Sequence, residues 1–298
     1  MTSVEATAPV SLAPPAAEPC VNCGEPIVAS FCGRCGERRA SERDNSLVGF
    51  GAEVVQTFAS LDRSLLGSLR SLLARPGELT VEFMRGRRVN MMRPLQLFLL
   101  VNVGFFIWST ASDNRMFDTP LNVHMHDTWH KSLATRLVQA RIESRHITMD
   151  AYRRTFDDAA TVQAKTLIVT MVPVFALLVG LLHLDRRRYL LEHLVFALHT
   201  YAALLILVVI TAYALALPSI VAAKVFGQPI AIGGKVYDNL FGLTLALTLG
   251  WYLRRAVAVV YEDGRTRSVV SAVVLFLGVG FILFGYRTLL FLTTFWAT

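Results

Sequence analysis

Charge is scarce in this chain, and cysteine is absent beyond Cys35. Only 17% of the 298 residues are charged, against about a quarter in ordinary soluble domains. Familiar catalytic signatures are missing as well. The chain has no G-x-S-x-G elbow, no Walker glycine loop and no dinucleotide-binding G-x-G-x-x-G. Gly233-Gly234 sits in a short loop without the strand and helix that such a fingerprint needs. No hydrolase, kinase or dinucleotide chemistry is therefore read from it, and the chain is expected to be non-enzymatic.

What is present is apolar. Hydrophobic residues make up 54% of the chain, and the mean hydropathy is +0.48. The net charge of +7 would suit nucleic acid, but the arginines cluster beside apolar segments, where membrane topology wants them. Residues 2–19 carry no basic start and no apolar core of a signal peptide, and are rich in Ala and Pro. Residues 1–19 are read as a disordered tail. The cysteines that follow are then expected in the reducing cytoplasm, where paired thiols favour a metal over a disulfide, the alternative reading.

All four cysteines fall into two knuckles, Cys20-Val-Asn-Cys23-Gly24 and Cys32-Gly-Arg-Cys35-Gly36. Each knuckle can offer two thiolates to one ion, so Cys20, Cys23, Cys32 and Cys35 read as a tetrahedral site for one structural Zn2+. Gly24 and Gly36 stand where the backbone must turn sharply behind the second sulfur. A module of residues 20–40 has almost no apolar core, so the ion would supply most of its folding energy. A nucleic-acid-reading ribbon is disfavoured. Arg34, Arg38, Arg39 and Arg43 are nearby, but Phe31 alone offers a stacking surface.

Residues 41–93 read as a cytoplasmic or interfacial layer of amphipathic helices. Over residues 47–73, Leu47, Phe50, Val54, Phe58, Leu61, Leu65, Leu69 and Leu72 recur at helical steps. Arg75-Pro76-Gly77 then ends the helix, and a short element leads to Arg85-Gly86-Arg87-Arg88. Residues 94–298 read as the transmembrane domain. Five segments approach the roughly 17–25 residues of a crossing: Leu95–Thr110, Thr166–Leu184, Leu190–Leu217, Asn239–Leu253 and Ser268–Tyr286. Pro94 suits a first helical turn, and Pro173 is expected to kink the second span. The tail after Tyr286 is expected to extend the fifth helix.

The first, third and fifth spans begin, and the second and fourth end, beside arginines: Arg85, Arg87, Arg88 and Arg93; Arg186, Arg187 and Arg188; Arg254, Arg255, Arg265 and Arg267. The positive-inside rule then places the N-terminus in the cytoplasm and, with five spans, the C-terminus outside. Residues 111–165 become an exterior loop with two or three short helices. Trp108, Trp251, Tyr252 and Trp296 fit an aromatic belt.

The ordered series of C-x₂-C-G ribbon, Leu-rich helix, Arg75-Pro76-Gly77, Gly86-Arg87-Arg88, Pro94, first span and Glu192-His193 to His199 resembles a bacterial membrane family, domain of unknown function 3667. The resemblance covers roughly residues 18–110 and 185–217. It implies a multi-pass protein of the bacterial inner membrane and implies no activity.

Two histidine groups remain. Glu192, His193 and His199 open the third span, with His183 and Asp185 ending the second. Ionisable groups near spans are candidates for function. Glu192 and His199 share a face but their Cα atoms lie about 10 Å apart, and His193 points roughly 120° from His199, so a shared site needs a neighbour such as His183 or Asn102. Interhelical hydrogen bonds are the plainer reading. His124, His126, Asp127 and His130 form a denser cluster outside the membrane, where His126 and His130 at i, i+4 would suit one metal on a helix.

The sequence thus predicts an all-α membrane protein, with about five transmembrane helices behind a small four-cysteine zinc ribbon and an amphipathic helix. Its expected partners are the lipid bilayer and a protein, or a second copy, docked through the ribbon. The alternatives are a transporter or channel built on Glu192, His193 and His199, and an intramembrane metalloenzyme.

Overall fold

The computed structural model describes residues 18–27, 30–37, 64–89, 91–112, 117–228 and 233–298. Residues 1–17, expected as a tail, and 38–63, the first part of the expected amphipathic helix, lie outside the described residues. The N-terminal module opens with a two-stranded antiparallel ladder, β1 (Glu18–Pro19) against β2 (Pro26–Ile27), in register Glu18 to Ile27. The elements described after it are helical.

Two short helices come first, α1 (Ser64–Ala74) and α2 (Glu78–Met84), joined at Arg75-Pro76-Gly77. Pro76 cannot continue the ladder, and Gly77 adopts a left-handed φ of 89° that lets the chain reverse. α3 (Pro94–Ala111) begins with proline, whose missing N–H costs nothing in a first turn.

Three helices follow, α4 (Leu121–His126), α5 (Lys131–Arg145) and α6 (Met149–Leu167). Thr148 caps α6 by accepting from the Ala151 N–H. A single 3₁₀ turn, Ile168–Thr170, links α6 to α7 (Met171–Leu182). This break falls in the turn before Pro173, whose ring and missing N–H disturb the residues preceding it. The three longest helices complete the chain: α8 (Leu190–Phe226), α9 (Gly234–Val260) and α10 (Arg265–Ala297).

Five helical stretches are long and apolar enough to cross a membrane: Pro94–Ala111, Met149–Leu182, Leu190–Phe226, Gly234–Val260 and Arg265–Ala297. The chain is an all-α, multi-pass membrane protein. No more than 39% of any span's most apolar stretch is buried inside the protein, which leaves leucine and phenylalanine faces such as Leu181, Leu247, Leu277 and Phe281 for lipid. Several helices run past the apolar limits read from sequence. α8 continues through Pro218 for 37 residues, about 55 Å against a hydrocarbon core of about 30 Å.

α8 is the central element, packed against α2, α3, α7 and α9, while α10 packs on α6, α7 and α9. The main core lies along these contacts, with Phe98, Phe175, Phe196, Tyr201, Leu205 and Leu253 fully enclosed. A second core forms where α4, α5 and α6 meet the end of α10: Leu121, Val138, Tyr152 and Phe156 close on Phe291 and Phe295. The residues after Tyr286 are thus both an extension of the last helix and a wall of the loop module.

Candidate metal centre and buried histidine layers

The two knuckles fold alike. Cys20 N–H donates to the Glu25 carbonyl and Gly24 N–H to that of Cys20; Cys32 and Gly36 repeat both bonds with Glu37 and Cys32. Gly24 and Gly36 hold left-handed φ values of 78° and 76°, which make these turns possible without strain. The result brings all four sulfurs within 4.8 Å of one another, with Cys20–Cys35 and Cys23–Cys32 each at 3.6 Å. A tetrahedron of sulfurs about 2.3 Å from a central zinc would place them about 3.8 Å apart, so the donor set and its spacing fit such an ion. The same distances are far beyond a covalent S–S bond of about 2.05 Å, and all four thiols are free. Cys20 and Cys32 are buried, whereas Cys23 and Cys35 are partly open.

The module is seated on the body through Glu37. This carboxylate is 3% exposed and accepts from the backbone N–H of Arg88 at 2.8 Å and of Val89 at 3.2 Å. Arg87 returns a bond from Nε to the Val21 carbonyl and pairs with Glu82 on α2. Arginines read from sequence as a topology signal therefore also form the seat of the ribbon.

Glu192, His193 and His199 do not share a site. Glu192 pairs with Arg188 at 3.1 Å. His193 Nδ1 lies 2.8 Å from the Tyr261 hydroxyl. His199 is enclosed between helices, with Nδ1 2.8 Å from Thr80 Oγ1 on α2 and Nε2 buried without a partner. Asn102 is elsewhere, lining a 490 Å³ groove on α3 with Lys165. His193 and His199 therefore make separate contacts between elements, while Glu192 is held locally by Arg188.

His183 belongs instead to a layer that sequence reasoning missed, assembled by Tyr261 and Asp263 in the turn between α9 and α10. The His183 ring stacks on Tyr261 with centroids 3.9 Å apart. Its Nδ1 faces the Val179 carbonyl at 3.0 Å and its Nε2 faces Asp263 Oδ2 at 3.2 Å. Both neighbours are acceptors. The Asp263 carboxylate is wholly buried and also meets Arg186 at 2.7 Å and Arg267 at 3.2 Å. Arg267 grips Asp185 with two bonds of 2.6 and 2.8 Å, which hold the Asp185 carboxyl down at about 2. Arg188 donates to the Val260 carbonyl. Sequence reading named His183 and Asp185 at the end of the second span but not Tyr261 and Asp263, which lie in a Tyr-Glu-Asp-Gly turn between the fourth and fifth.

The cluster at 124–130 is divided. His124 Nδ1 lies 3.1 Å from His130 Nε2, and His130 Nδ1 lies 3.1 Å from Thr288 Oγ1 of α10. Both rings pack on Phe291. His126 points away, its Nδ1 near the Asn122 carbonyl, so the i, i+4 pair does not form, because α4 ends at His126. Among the described residues, Cys20, Cys23, Cys32 and Cys35 are the group placed to hold a metal ion. Burial first, and the nearby His130 and Arg287 next, push the His124 imidazole down to about 3.

These features define a multi-pass helical membrane protein with a cluster of four cysteines at one end. A family described as a protein of unknown function (DUF3667) matches residues 62–106, the stretch that holds α2, the ribbon's seat and the start of the first span. No curated protein and no solved structure matches the chain.

Proposed function

We propose that this chain is a non-enzymatic protein of the bacterial inner membrane whose four-cysteine module holds one structural zinc on the cytoplasmic side and docks a protein partner or a second copy. The carrying observation is the pairing of a complete four-thiol cluster with a fixed seat on the helical body. Cys20, Cys23, Cys32 and Cys35 would hold the ion, which supplies the cross-link that so small a core lacks. The seat holds the module that exposes Phe31, by 59%, rather than leaving it on a loose tether. Arginines at the same ends of the spans support the cytoplasmic placement. A transport path built on Glu192, His193 and His199 is less well supported, since each of the three ends on its own partner.

Metal analysis of the purified protein is expected to give one zinc per chain, lost in Cys20→Ser with Cys32→Ser. Cross-linking in membranes, followed by isolation of the intact protein and of Phe31→Ser, tests the docking. Identical partners and identical self-association in both would end the docking reading, and a chain free of zinc would end the metal reading.

A further inference from the structure

A groove of about 350 Å³ opens between the end of α7 and the start of α8. One wall is aliphatic and faces outward: Leu177, Leu181 and Leu184 are each at least 59% exposed. The other side carries His193, Arg187 and Arg188. His193 is 4% exposed, and with Nδ1 engaged by Tyr261 its Nε2 has no hydrogen bond among the described residues, so a nearly buried polar group is left at the groove.

The charges around it do not cancel locally. Asp263 is matched by Arg186, Asp185 by Arg267 and Glu192 by Arg188. Arg187 makes no ion pair and no side-chain hydrogen bond among the described residues, and it is exposed at the groove's rim. Its backbone is left-handed, with φ of 47°, which throws it out of the 3₁₀ turn that carries Asp185 and Arg186.

An apolar trough that runs along two membrane helices and ends in a free guanidinium suits an amphiphile with an anionic head. We propose that this groove binds an anionic phospholipid, its phosphate held by Arg187 and the His193 Nε2 and one acyl chain lying along Leu177, Leu181 and Leu184. Basic pockets between transmembrane helices bind anionic headgroups in this way, and a guanidinium matches a phosphate through paired N–H donors. Free phosphate offers the same head without the chain, and the leucine wall distinguishes the two.

The test is native mass spectrometry of the full protein in detergent, with phosphatidylglycerol, phosphatidylcholine or inorganic phosphate as the probe. One phosphatidylglycerol is expected to be retained in preference to phosphatidylcholine. Arg187→Gln, which removes no ion pair or side-chain hydrogen bond among the described residues, is expected to weaken it about fivefold. Leu181→Trp keeps every charge but fills the trough, and is expected to weaken it as well. Arg255→Gln removes an exposed charge beyond the groove and is expected to have no effect. Equal retention by Arg187→Gln and the parent protein would overturn the site. So would an equal loss in Arg255→Gln, which would signify diffuse attraction. Thermal stabilisation by inorganic phosphate as large as that by phosphatidylglycerol would overturn the lipid assignment.

Discussion

Two buried histidine layers sit at opposite ends of the helical body and are held by different physics. Around His183 the ring is embedded among compensating charges, with Asp263 meeting Arg186 and Arg267 within 3.2 Å. Around His124 there is no carboxylate partner among the described residues; one ring faces another, and Phe156 and Phe291 close the remaining sides. The first layer tolerates charge because its buried carboxylate meets two arginines. The second requires its rings to stay neutral. A cluster of the same residue type can therefore be a salt-bridged brace at one end and an acid-sensitive plug at the other.

The largest effect is expected from Asp263→Ala, which removes the buried anion shared by His183, Arg186 and Arg267 and leaves the two arginines only the exposed Asp185. Breaking one partner of a buried charge cluster costs about 3–5 kcal/mol, read as a shift in detergent-titrated unfolding. A loss below about 1 kcal/mol would erase the distinction between the layers. Next comes acid. The His124 imidazole titrates near 6.5 when unfolded and is pushed down to about 3 when folded, so the unfolded chain binds the extra proton. Stability from this layer is complete above pH 6.5 and falls as pH drops toward 3, by an amount on the order of a few kcal/mol. Asp185, held down at about 2, keeps its pair with Arg267 until lower pH. Near-UV circular dichroism between about pH 7 and 4 should thus report loosening of the α4–α6 module, and His124→Phe should flatten that part of the change. A profile unchanged by His124→Phe would remove the contrast.

Two smaller effects sharpen the picture between the layers. Glu37→Gln weakens the acceptor that caps Arg88 and Val89, at a cost of about 1.5–3 kcal/mol in ribbon seating. Faster alkylation of Cys23 and Cys35 is expected, with the melting temperature of the body unchanged; a fall in that temperature would show the ribbon to be part of the core. Thr80→Val leaves His199 Nδ1 unpaired and is expected to cost about 1 kcal/mol in the same unfolding assay. No change would mean that this contact contributes little.

The spans were legible because bilayer-length apolar runs leave a strong one-dimensional signal. Their ends were not. Lys224, Lys235 and Asp238 halt the hydropathy but not the helices, since a charged side chain is readily accommodated on a turn that has left the hydrocarbon. The four-thiol group was legible through its spacing, as ligands close in sequence need little folding to meet. The His183 layer was opaque for the opposite reason: Asp263 lies 80 residues from its histidine, and the pairing depends on how α7 and α10 pack. His126 misled because i, i+4 spacing implies a shared face only while the helix lasts. Glu37 and Thr80 carried no signal, as a single polar residue between apolar neighbours does not reveal what it will cap.

Gly77 carries a mechanical consequence. A methyl group there would meet the Ala256 carbonyl oxygen at 2.7 Å, so main chain rests directly on main chain where the α1–α2 turn crosses α9. Flexible side chains normally cushion such crossings and absorb small displacements. Here there is no cushion, and α2 leans at the same time on α8 through Thr80. A tug on the cysteine head is consequently delivered to two lipid-embedded rods at once, as through a rigid coupling rather than a tether.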